Sequence, residues 1–328
     1  MESAIIPYDG NSMKLWPPLA DRAFYLKSAS GGSIFFYDSP PQAIAGASIS
    51  SPPTFVLIHG LGDEADSWRH LIPLLNARGY RVLAPDLPGF GRSAASGRIS
   101  LKTHADAVLE LVEKIGRRDW ESGNVKSPPS VFLAGSSMGA MVAEAAAFRK
   151  PGKLPGFSPA PIRGLALIDG SIPGGPSNPG PLVLAKLLFS RKWYRAYRGN
   201  PEGAWRSLYP YYADLDSLSE EDKEFLKVRV MARVESDSQE RAYFATQSSL
   251  IWAFLTGASK FAKKIRQYEG KILLLWGDKD RIIPLSSTKA IMALRPDIEL
   301  KTIPGAGHLP QQERPEETAR LLAEFAEH

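Results

Sequence analysis

The chain has 328 residues, 44% apolar and 23% charged, a balance that excludes a disordered or collagen-like polypeptide and predicts one large domain or two modest ones. Its 40 basic and 35 acidic side chains are interspersed and leave a net charge of only +5, so no nucleic-acid footprint is expected. No cysteine occurs, which removes thiolate nucleophiles, cysteine-bound zinc, iron–sulfur clusters and disulfides.

Residues 1–9 carry Glu2 and Asp9 but no basic and apolar leader pattern, and no apolar run reaches the roughly 18 residues that a membrane span needs. A soluble, cytoplasmic protein without stable membrane insertion is the expectation. Residues 22–38 alternate around Gly31-Gly32 and predict a β-hairpin; residues 39–53 then read as a loop. From there, short continuous apolar runs at 55–58, 81–84, 131–134, 165–168, 272–276 and 300–303 alternate with helical patterns at 67–77, 101–115, 138–148 and 315–325. Continuous runs mean strands buried on both faces, and strand–helix alternation means a mostly parallel sheet.

Between Asp169 and Lys271 the strand signal disappears. A Pro/Gly-rich opening at 173–181 leads into aromatic, mixed-charge helical segments that predict an inserted helical cap over 172–262, with 1–171 and 263–328 forming the core. Most of its aromatic residues suit the cap's own core; Trp193, Tyr197, Trp205 and Trp252 are candidates for a pocket beneath it. The run from Lys186 to Arg206 holds six cations against Glu202 alone. Such a run is most often a solvated face, and an anionic substrate, a carrier or a membrane surface are the partners it would suit.

The chemistry concentrates where the 131–134 strand ends in Gly135-Ser136-Ser137-Met138-Gly139 and a helix begins. A strand-to-helix turn of the form G-x-S-x-G lifts its serine into the open, with glycines where side chains would collide. Ser137 therefore reads as a nucleophile, and a hydroxyl needs a base. Of five histidines, His328 is terminal, His70 and His104 sit in helical patterns before the turn, and His59 closes a buried strand. His308, in a loop after the last strand, is left. An orienting carboxylate should end a strand between Ser137 and His308. Asp278, Asp280 and Asp169 all qualify, and spacing does not choose among them. For the oxyanion, Met138 N–H and Leu61 N–H are the candidate donors, the latter in the His59-Gly60-Leu61-Gly62 loop.

Together with the Asp86-to-Ser93 segment, these stretches occur in the order and form of the α/β-hydrolase superfamily, and the chain resembles its cap-bearing, esterase-like branch. The resemblance implies an eight-stranded, mostly parallel sheet and a Ser137–His308–Asp280 triad, because Gly277-x-x-Asp280-x-x-x-Pro284 matches the family's acid motif. It implies hydrolysis of a small, largely apolar carboxylic ester through an acyl-enzyme, with no cofactor and no metal. Acyl transfer, carbon–carbon bond hydrolysis and peracid formation run on the same residues, and a non-catalytic binding member is a further alternative. A different rival is an NAD-dependent oxidoreductase, since Gly60-Leu-Gly62-Asp-Glu-Ala65 follows a strand and Asp86 ends the next one.

Overall fold

The continuous apolar runs are the central strands of a single sheet in the computed structural model, which describes residues 5–8, 14–42, 52–123, 129–149, 162–172 and 191–327. The strands are β1 (Ile5–Pro7), β2 (Ala23–Lys27), β3 (Ser33–Ser39), β4 (Thr54–Ile58), β5 (Arg81–Pro85), β6 (Val131–Ser136), β7 (Ile162–Ile168), β8 (Lys271–Gly277) and β9 (Glu299–Ile303). Their order is β1-β2-β3-β5-β4-β6-β7-β8-β9. Strands β1 to β3 run antiparallel to their neighbours, and every pair from β5 to β9 is parallel. Among the described residues the sheet thus has nine strands where eight were expected. The extra one, β1, is three residues long and exists by pairing Ile5–Pro7 with Phe24–Leu26, too short to leave an alternating pattern of its own.

Alternation of side chains across β4 divides the interior in two. Val56 and Ile58 enter one apolar cluster, with residues of α2 (Leu101–Glu121) and α3 (Met138–Ala147). Phe55 and Leu57 enter the other, with α1 (Leu71–Asn76) and the C-terminal helix Pro315–Glu327. Each such side chain contributes about 1.5 to 3 kcal/mol by leaving water, which is why the central strands read as unbroken apolar runs. The start of α2 is set by Ser100, whose Oγ accepts from Thr103 N–H while Thr103 Oγ1 accepts from Ser100 N–H. The helical pattern at 67–77 is divided into a 3₁₀ turn, Ala65–Trp68, and α1; Pro73 has no N–H for the carbonyl of Arg69, so the helix restarts after the turn.

Between β7 and β8 the described residues form α4 (Pro201–Arg206), α5 (Glu220–Glu235), α6 (Asp237–Trp252), a π turn at Ala253–Gly257 and α7 (Ala258–Gln267). Ser219 and Ser236 cap α5 and α6 by accepting from Asp222 N–H and Gln239 N–H. Tyr194, Val230 and Phe244 form one small core here, and Trp205, Tyr212 and Leu215 another. The cap boundary expected at 262/263 falls inside α7, whose Ile265 packs into the sheet's core. The 173–181 opening and Lys186 lie outside the described residues. Among the described residues no helix is long and apolar enough to cross a membrane.

Candidate active site

Ser137 stands between β6 and α3 with φ 55° and ψ −116°, a backbone conformation that a residue with a Cβ adopts only under constraint. Two constraints are visible. Ser137 N–H donates to Ile168 O of the neighbouring strand at 2.7 Å. The flanking glycines allow backbones to touch: a Cβ on Gly135 would lie 2.2 Å from Gly139 C, and one on Gly139 would lie 2.0 Å from Ile58 O. Any side chain at either position would push the turn apart. Ser136, the neighbouring hydroxyl, is buried beneath Gln311, whose Nε2 donates to it at 3.3 Å.

His308 is buried, and its Nδ1 lies 2.8 Å from Asp280 Oδ2. Asp280 Oδ1 accepts from Ile282 N–H and Ile283 N–H at 2.7 and 3.0 Å, so the short turn after β8 aims the carboxylate. The histidine loop is held by the segment between β7 and β8: His308 N–H donates to Tyr211 O at 2.8 Å, and Glu313 accepts from both Gly307 N–H and Ala213 N–H. Of the three carboxylates left open by spacing, Asp280 therefore meets the imidazole ring. Asp278 turns away to accept from Gly305 N–H at 2.7 Å, with Lys279 at 3.9 Å. Asp169, at the end of β7, is fully buried and accepts from Gly277 N–H at 3.0 Å. One donor atom each from Asp169, Asp280 and His308 lie within 4.8 Å of one another; the His308–Asp280 contact within that group is a direct hydrogen bond.

The loop after β4 is fixed from several sides. Leu87 N–H donates to His59 Nε2 at 2.9 Å, which leaves the ring proton on Nδ1 to donate to Gly60 O at 2.8 Å. Burial holds the His59 imidazole below its ordinary pKa, so it works as a neutral clamp rather than a base. Asp86 Oδ1 accepts from Ala65 N–H, while the same carboxylate is paired with the buried Arg92. From the other side Arg233 of α5 donates to Gly62 O at 2.6 Å, and Arg229 pairs with Glu64. Leu61 lines the resulting cavity. Met138 opens α3, where first-turn N–H groups have no helical acceptor and the helix dipole favours negative charge.

Ser137, His308 and Leu61 share a cavity of about 560 Å³ with Trp193, Tyr197, Leu208, Leu226, Val230 and Tyr243. Trp193 and Tyr197, two of the four pocket candidates from the sequence, line this cavity. Trp205 and Trp252 do not: Trp205 is buried against Tyr212 and Leu215, and Trp252 is exposed at the end of α6. The lining residues that sequence reasoning missed have a signal in retrospect, since Leu226 and Val230 stand four apart on α5, as do Arg229 and Arg233. The basic run is largely paired. Arg191, Arg195 and Arg198 converge on the buried Glu240, Arg198 also meets Asp237, and Arg206 pairs with Glu202. The dinucleotide alternative fares worse than the hydrolase one at Asp86, which is fully buried and committed to Arg92 and Ala65, leaving no carboxylate for a ribose.

The profile described as the alpha/beta hydrolase family matches residues 55–321. Among curated proteins, the chain is 29% identical over 275 residues to a pimeloyl-[acyl-carrier protein] methyl ester esterase of Methylococcus capsulatus, covering 83% of this chain and 94% of the relative. It is 26% identical over 283 residues to a 2-hydroxy-6-oxononadienedioate/2-hydroxy-6-oxononatrienedioate hydrolase of Pseudomonas putida, covering 84% and 88%. Among solved structures, a membrane phospholipase A superposes with a TM-score of 0.66 at 26% identity, covering 93% of this chain and 85% of that one.

Proposed function

Because the chain belongs to the alpha/beta hydrolase family, we propose that it is a serine hydrolase that cleaves a carboxylic ester of a largely apolar substrate through a Ser137–His308–Asp280 triad. The reading rests on one observation: an imidazole held at 2.8 Å by a buried carboxylate, and a serine on a constrained strand-to-helix turn, open onto the same mostly apolar cavity. In the proposed reaction His308 Nε2 takes the Ser137 Oγ proton as Oγ attacks the carbonyl carbon. The negative charge that develops on the carbonyl oxygen is met by Leu61 N–H and Met138 N–H. Asp280 stabilises the imidazolium, which then protonates the departing alkoxide; water repeats the sequence on the acyl-enzyme and frees the acid.

A fluorophosphonate probe tests the nucleophile without knowledge of the substrate. Wild type should be labelled at Ser137 and turn over p-nitrophenyl esters, while Ser137→Ala should stay unlabelled and folded, with turnover lower by about 10⁴-fold or more. An unlabelled wild type would refute the reading. Similarity to the Pseudomonas putida hydrolase supports a second reading, carbon–carbon bond cleavage beside a ketone on the same residues. Turnover of a 2-hydroxy-6-oxodienoate with no turnover across the ester panel would select it.

A further inference from the structure

Asp169 has no part in the reaction just described, yet it is fully buried against the residues that carry it. It follows β7 with φ 49°, one of two described non-glycine residues with a positive φ, the other being Ser137. Its neighbour Gly170 lies so close to the Ser137 turn that a Cβ there would sit 2.4 Å from Ser137 O. The Asp169 side chain has unequal oxygens. Oδ1 accepts from Gly277 N–H, whereas Oδ2 has no hydrogen-bond partner although it is buried. Around it stand Asp280 from the turn after β8, His308 from the loop after β9 and Glu313 beyond that loop, so the nearby carboxylates are all repulsive to a second negative charge.

Two buried carboxylates this close do not both ionise. Which one keeps the proton follows from their partners. Asp280 accepts two backbone N–H bonds and the His308 ring contact, three interactions that favour its charged form. Asp169 accepts one. We propose that Asp169 is a positioning residue that stays protonated and donates its Oδ2–H to Asp280, so that the two carboxyls share a single negative charge. Burial first, and then the charge of Asp280, push the Asp169 carboxyl well above the usual range, in keeping with this assignment. The donated bond orients the Asp280 carboxylate toward the ring, which keeps the ring proton on His308 Nδ1.

This inference rests on the triad reading, and its test separates the two. Asparagine at 169 can accept from Gly277 with its oxygen and donate to Asp280 with its nitrogen; leucine fills the space and does neither. Fluorophosphonate labelling rates should stay within about 3-fold of wild type in Asp169→Asn and fall about 10- to 100-fold in Asp169→Leu. Labelling of Asp169→Asn as slow as that of Asp280→Asn, or of Asp169→Leu as fast as wild type, would overturn the proposal. A second measurement needs no activity. Wild type folded with a proton on Asp169 should lose stability relative to Asp169→Asn as pH rises above about 4, by about tenfold in the unfolding constant per pH unit until Asp169 ionises. A difference that stays flat with pH would also overturn it. If no form is labelled, the serine hydrolase reading fails while urea unfolding still decides whether the carboxyl pair keeps a proton.

Discussion

The left-handed backbone at Ser137 costs about 1 to 3 kcal/mol, and the chain holds it there by the bond to Ile168 O and by glycines on either side. The same local logic divides the two aspartates of the turn after β8. They are two residues apart and identical in chemistry, but Asp280 faces the His308 ring and Asp278 faces Gly305 N–H. Replacing Asp280 by Asn removes the charge proposed to stabilise the imidazolium and should lower kcat/KM for a p-nitrophenyl ester by about 10³- to 10⁴-fold. Asp278→Asn keeps an acceptor for Gly305 and should stay within about 3-fold of wild type. Equal losses in the two variants would count against Asp280 as the triad acid.

At the scale of elements, α3 does more than present its N-terminus to the site. Its Glu144 is fully buried and ties the helix to the segment after β7, accepting from Ser171 Oγ–H and from Ile172 N–H at 3.0 Å. Burial pushes the Glu144 carboxyl up to about 7, only partly offset by those two bonds. A carboxyl raised in the folded state binds its proton more tightly than the unfolded chain does. Its contribution to stability is therefore complete below about pH 4.5 and is lost as pH rises to about 7, a loss of about 3 kcal/mol. Glu144→Gln cannot ionise, so its stability relative to wild type should rise by about that amount between pH 4.5 and 7.5 in urea unfolding. A constant difference across that range would show that Glu144 is not held neutral.

For the molecule as a whole, the question is what the helical segment contributes to the sheet that carries the proposed triad. It supplies most of the cavity wall and also grips the loops that carry His308 and Leu61, through Tyr211 O on His308 N–H and Arg233 on Gly62 O. Trp193 and Trp252 are almost equally exposed, at 68% and 67%, but only Trp193 borders the cavity. In a graded series of p-nitrophenyl esters, Trp193→Ala should reduce the preference for longer acyl chains, by about 1 to 3 kcal/mol in transition-state energy for the chains that reach it. Trp252→Ala should leave the series unchanged; a shift of equal size would mean that the cavity extends to α6's end. Much of this architecture was legible in the sequence by itself. Strands buried on both faces write themselves as apolar runs, and a serine turn that tolerates only glycine beside it writes itself as a motif, because in both cases the physical constraint acts on neighbouring residues. The absence of Trp205 and Trp252 from the cavity wall, the ninth strand and the closeness of Asp169 to Asp280 were visible only in three dimensions, and so was the contact of His308 with Asp280, which spacing left level with Asp278 and only the family's acid motif singled out. Each depends on which segments, separated by up to a hundred residues or more, are packed side by side, and no local pattern encodes the direction in which a side chain meets a partner from another strand.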